Sequence, residues 1–85
     1  MADDGRPLGR RSTLVMRNVR VGPRRTSLRL EIAVWDALGD IAQREGMPLN
    51  RLLTRIAGAQ SESSFTASVR VYALGYYRGL AERRA

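Results

Sequence analysis

Three polar side chains recur at alternate positions of Arg24-Arg25-Thr26-Ser27-Leu28-Arg29-Leu30: Arg25, Ser27 and Arg29. At a spacing of two residues they fall on one face of an extended chain, with Thr26, Leu28 and Leu30 on the other. A guanidinium donates two parallel hydrogen bonds to phosphate or to N7 and O6 of guanine, and a hydroxyl donates or accepts. Recognition, not bond-breaking, is the chemistry this row offers. With His 0 and Cys 0, a Ser-His-Asp triad, a thiol nucleophile and a Cys/His zinc site are excluded. The acids stand singly, and no glycine-rich phosphate loop accompanies them. We therefore expect no enzyme, no metal and no cofactor.

A second binding feature lies at Met47-Pro48-Leu49-Asn50-Arg51. Proline suits the first position of a helix, where its missing N–H has no partner in any case. Met47 has no side-chain oxygen to cap the turn, so the Leu49 and Asn50 amides are open to an anion or to water. Asn50 adds a side-chain donor, and Arg51 adds a cation that either reaches phosphate or stays a surface charge.

These groups need elements to hold them. The chain has 85 residues, which fits one small domain. A domain of this size is marginal alone, and without disulfide or zinc the remaining staple is oligomerisation. All 15 basic residues are Arg, and the net charge is +7. Eight of them fall before residue 31 against Asp3 and Asp4 alone, whereas the rest of the chain is nearly neutral. A basic N-terminal part favours a polyanion: nucleic acid ahead of a membrane surface, because the basic stretch is Pro/Gly-broken and strand-like, not an amphipathic helix. No apolar run is long enough to span a bilayer and no secretory leader is visible, so a cytoplasmic location is expected.

Residues 1–12 show no period and read as a mobile basic arm. In 13–21, Val15, Arg17, Val19 and Val21 alternate as a candidate strand, and Gly22-Pro23 breaks it. The 24–30 strand cannot satisfy its own backbone and needs pairing partners. Segment 13–21 can take one edge, and the same strand of a second chain can take the other. From Glu31 to Glu45 the stripe Trp35, Leu38, Ile41 and Ala42 predicts a helix, with Glu31 in its first turn and Gly46 as its stop. Leu49, Leu52, Leu53, Ile56 and Ala57 give a second helix ending at Gly58. A third runs over about 64–82 on Phe65, Val69, Tyr72, Ala73, Tyr76 and Leu80. Trp35 reads as core, Tyr72 and Tyr76 as packing, and Tyr77 as surface or interface.

The order of basic arm, amphipathic strand, helix, glycine turn and helix resembles the ribbon-helix-helix family of DNA-binding proteins. The match covers Arg24 to Ala57. It extends to the third helix in a largely proteobacterial branch of the family. Carrying it are Arg25-Thr26-Ser27-Leu28-Arg29-Leu30-Glu31, Val34-Trp35, Leu38, Ile41-Ala42, Gly46 and Ala67-Ser68-Val69-Arg70-Val71-Tyr72-Ala73-Leu74. Val34 stands where an aromatic is common, and Met47-Pro48 replaces a serine-containing helix start.

The resemblance implies a mainly α fold with one short strand per chain. Two chains intertwine as a homodimer around a two-stranded antiparallel ribbon, and a third C-terminal helix extends the dimer contact or joins dimers into a tetramer. It implies three parts: the arm at 1–23, the ribbon-helix-helix domain at 24–58 and the C-terminal helix at 59–85. Arg25, Ser27 and Arg29 would contact bases of double-stranded DNA in the major groove. Arg24, Pro48, Leu49, Asn50 and Arg51 would hold phosphate. Leu28, Leu30, Trp35, Leu38, Ile41, Leu52, Leu53 and Ile56 would form a core shared by the two chains. The implied function is a nucleoid-associated transcriptional regulator, most simply a repressor. The alternative is an antitoxin that uses the same fold for autoregulation, with a toxin as further partner; the patterned third helix, in place of a loose tail, weighs against it.

Overall fold

The computed structural model describes residues 14–60 and 62–84. The arm read over 1–12 lies outside the described residues. Two strands precede three helices: β1 (Leu14–Val21), β2 (Arg24–Glu31), α1 (Ile32–Arg44), α2 (Leu49–Gly58) and α3 (Phe65–Arg84).

Of the candidate strand at 13–21, Leu14–Val21 forms, and it pairs antiparallel with β2 in the same chain. A two-residue loop of Gly22 and Pro23 joins them. Gly22 has φ +60°, the sign a tight hairpin needs at its first loop residue and one that glycine adopts without a Cβ clash. The register sets Val15 opposite Leu30, Arg17 opposite Leu28 and Val19 opposite Thr26 on one face. Facing residues of an antiparallel pair share a side, so the other face carries Met16 with Arg29, Asn18 with Ser27 and Arg20 with Arg25. The sheet has two strands, so β1 takes one edge of β2 and, among the described residues, no strand takes the other.

Helix α1 buries Trp35, Leu38, Ile41 and Ala42, the stripe its spacing predicts. It stops as Gly46 predicts. Gly46 has φ +66°, its N–H donates to the Gln43 carbonyl at 3.1 Å, and the Met47 N–H donates to the Ala42 carbonyl at 3.0 Å. This crossed pair satisfies the last carbonyls and turns the chain, while Met47 packs on the core as the accompanying apolar contact. Glu31 differs from expectation. It ends β2 and stands at the N-cap without a side-chain cap bond, because its carboxylate is drawn to Arg70 of α3, 3.0 Å away.

Helix α2 starts one residue later than proline's preference suggested: Pro48 is its N-cap, with extended backbone. Gly58 remains helical and Ala59 is the C-cap. Helix α3 is capped by Ser64, whose hydroxyl accepts the Ala67 N–H at 3.1 Å. The buried Ser68 is satisfied by the Glu62 N–H, 3.1 Å from its hydroxyl oxygen.

The core lies between the inner face of the hairpin and the three helices. Leu28, Leu30, Trp35, Leu38, Ile41, Leu52, Leu53 and Ile56 are all buried within one chain, and Val19, Val69 and Ala73 join the same cluster. Each fully buried aliphatic side chain contributes about 1.5–3 kcal/mol. The Trp35 indole N–H donates to the Val15 carbonyl at 2.8 Å, and the Arg17 guanidinium lies 4.9 Å from the Trp35 ring centroid. Trp35 thereby ties β1 to α1. Tyr77 corrects its sequence reading: it packs against the core, and its hydroxyl lies 3.5 Å from the Ala37 carbonyl. The cause is that α3 lies across α1 and α2 and packs more of its circumference than a single stripe.

Candidate nucleic-acid interface

The outward face of the hairpin carries Arg25, Ser27 and Arg29, all exposed, in the row their alternation predicts. Beside it runs a second row that sequence reading missed: Met16, Asn18 and Arg20 of β1. The signal was present. Alternation of Val15, Arg17, Val19 and Val21 on one side puts these residues on the other, and a two-residue loop fixes the register.

The two rows are coupled. The Ser27 hydroxyl donates to the Asn18 side-chain oxygen at 2.9 Å, across a register pair. Helix α2 fixes the far edge of β1. Asn50 Oδ1 accepts the Arg20 backbone N–H at 3.1 Å, and the Thr54 hydroxyl oxygen accepts the Gly22 N–H at 2.8 Å. Thr54 in turn donates to the Asn50 carbonyl at 2.8 Å. The oxygen of the Asn50 amide is therefore committed to β1, and its NH2 group is the one left to donate.

This docking brings the start of α2 beside the ribbon face. A cleft of about 250 Å³ is lined by Asn18, Val19, Arg20, Arg25 and Asn50. The Arg51 and Leu52 amides of α2 both bond to the Pro48 carbonyl, at 3.0 and 3.2 Å. The two preceding amides, of Leu49 and Asn50, are the ones a helix start leaves unpaired. Arg25 and Asn50, predicted separately, thus meet in one site. Arg29 sits toward the other end of the face, opposite Met16. Arg24 is opposite Val21 at the hairpin tip. Pro48 and Arg51 are exposed, whereas Leu49 is half-buried and packs on the core.

The electrostatics are one-sided. Arg20 and Arg25 face each other directly, a like-charge pairing that costs stability in an antiparallel sheet. Among the described residues, neither they nor Arg29 pairs with a carboxylate. The acid at the far end of the sheet from that pair, Glu31, is engaged through both oxygens by Arg70, at 3.0 and 3.2 Å. That hydrogen-bonded guanidinium holds the Glu31 carboxyl below its ordinary 4.5. A second anchor of α3 is the Tyr76 hydroxyl, which donates to Glu45 at 2.8 Å; the bond raises the phenol above its ordinary 10.0. Both interactions hold the scaffold and leave the ribbon face positive.

A family profile described as a ribbon-helix-helix domain matches residues 14–77, from the start of β1 into α3. No curated protein matches. Among solved structures, the chain is similar to an uncharacterized protein from Bordetella pertussis Tohama I, with 34% identity and a TM-score of 0.69 over 85% of this chain. The match spans 62% of that protein's length.

Proposed function

Because the chain belongs to the ribbon-helix-helix domain family, whose members are DNA-binding regulators, antitoxins among them, we propose that it is a sequence-specific transcriptional regulator, a repressor that occludes its promoter in the cytoplasm. The outward ribbon face enters the major groove of double-stranded DNA as a homodimer, and no cofactor takes part. Arg25, Ser27 and Arg29 meet base edges. Arg24, Arg51 and the Pro48–Asn50 start of α2 meet phosphate, with the Leu49 and Asn50 amides and the Asn50 NH2 group as donors.

The observation that carries this reading is the row of guanidiniums, without a carboxylate partner among the described residues, on a sheet face whose facing pair, Arg20 and Arg25, repels until an anion comes between them. B-DNA's major groove admits a two-stranded ribbon, and β2 with its counterpart in a second chain would form one. The antitoxin alternative is less well supported, because α3 commits Val69 and Ala73 to the core where a toxin-wrapping segment would leave its apolar residues free.

The test is selection from random duplex DNA at physiological salt. An enriched motif containing guanines, with affinity falling steeply as salt rises, is the expected result. Binding that enriches no motif would make the protein a non-specific DNA binder, and no binding would refute the reading.

A further inference from the structure

In the function proposed above, β2 and its counterpart in a second chain meet base edges, and the start of α2 meets phosphate. Strand β1 lies between the two. It pairs with β2 along its length, and it is held to α2 by the Asn50 bond to the Arg20 N–H, beside the Thr54 bond to the Gly22 N–H. Its outward residues, Met16, Asn18 and Arg20, are exposed. Arg20 stands directly opposite Arg25. Like charges so placed destabilise an antiparallel pair, and among the described residues no carboxylate relieves them. Departures of this kind from local stability are expected at functional positions.

We propose that Arg20 is a phosphate-binding residue of the DNA interface, holding the backbone at the groove wall while β2 reads bases, an inference that rests on that function. Strands lie about 4.8 Å apart. With β2 and its counterpart at the centre, the two β1 strands are outermost and stand about 14 Å from each other. The major groove is about 12 Å wide. The β1 rows therefore face the walls, where the phosphates are, and not the base edges. The receiving site is present in one chain. A cleft of about 250 Å³ is lined by Asn18, Val19, Arg20, Arg25 and Asn50, so two guanidiniums and two amides surround one space. Both amides have their oxygens engaged: Asn50 Oδ1 accepts the Arg20 N–H, and Asn18 Oδ1 accepts the Ser27 hydroxyl at 2.9 Å. Each is left with an NH2 group to donate, and the lining holds no carboxylate. A phosphate in the cleft accepts from Arg20 and Asn50 and screens Arg20 from Arg25. Repulsion in the free protein thereby becomes affinity for the duplex.

The test measures affinity for a selected duplex and a scrambled one between about 50 and 200 mM salt, with the selected motif and thermal melting, for the wild type, Arg20→Gln, Arg20→Lys and Arg78→Gln. Arg78 is an exposed residue of α3, away from the sheet. Each phosphate contact contributes about 0.9 to the slope of log affinity against log salt, and a dimer has two copies of Arg20. The wild-type advantage over Arg20→Gln should therefore shrink by about tenfold across that salt range, equally on both duplexes and with the motif unchanged. Arg20→Gln should melt at or above the wild type, because the repulsion of Arg25 is gone. Arg20→Lys should keep the wild-type slope, as should Arg78→Gln. A preference lost at one base position makes Arg20 a base reader and overturns the assignment. A slope that falls equally in Arg20→Gln and Arg78→Gln reports net charge alone and overturns it too. So does weaker binding with a lower melting temperature in both Arg20 variants, which would make the residue structural. Wild-type binding that Arg20→Gln leaves unaltered refutes this proposal alone, whereas no DNA binding by the wild type refutes it together with the function on which it rests.

Discussion

Replacing Trp35 by alanine removes the side chain that joins the ribbon to the helices. Trp35 is 3% exposed, so nearly the whole indole leaves a packed site, a change that costs about 3–5 kcal/mol when the cavity cannot collapse. The indole N–H bond to the Val15 carbonyl, 2.8 Å, goes with it, and a hydrogen bond of that kind contributes about 1 kcal/mol. The Arg17 guanidinium also loses the ring 4.9 Å from it. A domain of this size holds only about 4–12 kcal/mol in total, at roughly 0.05–0.15 kcal/mol per residue. The substitution therefore removes a third to all of the stability. At about 4–8 °C per kcal/mol for a small domain, the melting temperature should fall by at least about 16 °C, or the transition should disappear. Circular dichroism against temperature and urea measures this. Trp35→Phe, which keeps an aromatic ring but no donor, should fall between the alanine variant and the wild type. A Trp35→Ala protein melting cooperatively within about 5 °C of the wild type would show that β1 is not held to α1 as described.

Three further outcomes follow from other parts of the molecule. Arg29→Ala should lose about 1–3 kcal/mol of discrimination at one guanine and bind a broader set of sequences; a uniform loss on every duplex, measured by titration, would assign Arg29 to the backbone instead. Gly46→Ala places a Cβ at φ +66° and should destabilise by about 1–2 kcal/mol, read as a lower urea midpoint with unchanged slope. Glu31 has a lowered pKa because Arg70 hydrogen-bonds its carboxylate, so its contribution is present above the ordinary carboxyl value and is lost as pH falls through the depressed one. Glu31→Gln should accordingly melt below the wild type at neutral pH and converge with it in acid, and a gap that persists at pH 2 would rule out the ion pair as its source.

The helices, and the Gly46 stop after the first, were legible because each signal is local. The Trp35, Leu38, Ile41 and Ala42 stripe repeats at the helical period, and Gly46 supplies a backbone angle that other residues resist. The alternation of Arg25, Ser27 and Arg29 with Thr26, Leu28 and Leu30 likewise named the outward face of β2, since successive side chains of a strand must point to opposite sides.

Pairing depends on contacts distant in sequence. The 24–30 strand read alone has two edges open, one to segment 13–21 and one to a second chain, and the hairpin fills one of them from within. That choice, made by the Gly22-Pro23 turn, by the Trp35 bond to Val15 and by Asn50 and Thr54 holding the edge of β1, brought Met16, Asn18 and Arg20 into line with the expected row. Residues 30 and 32 positions apart meet in those bonds to Asn50 and Thr54, and no short-range pattern records them. The same holds for Glu31. Its place at the head of a helix suggested a partner in the dipole, but a guanidinium from α3, 39 residues away, offers a directed bidentate bond, stronger than the field at a helix end. Sequence determined which faces are apolar, where the chain turns and how much positive charge it carries, because these are properties of neighbouring residues. Tertiary structure decided which strand lies beside which and so which side chains share the outward face, because that outcome depends on how the elements bury their apolar sides together.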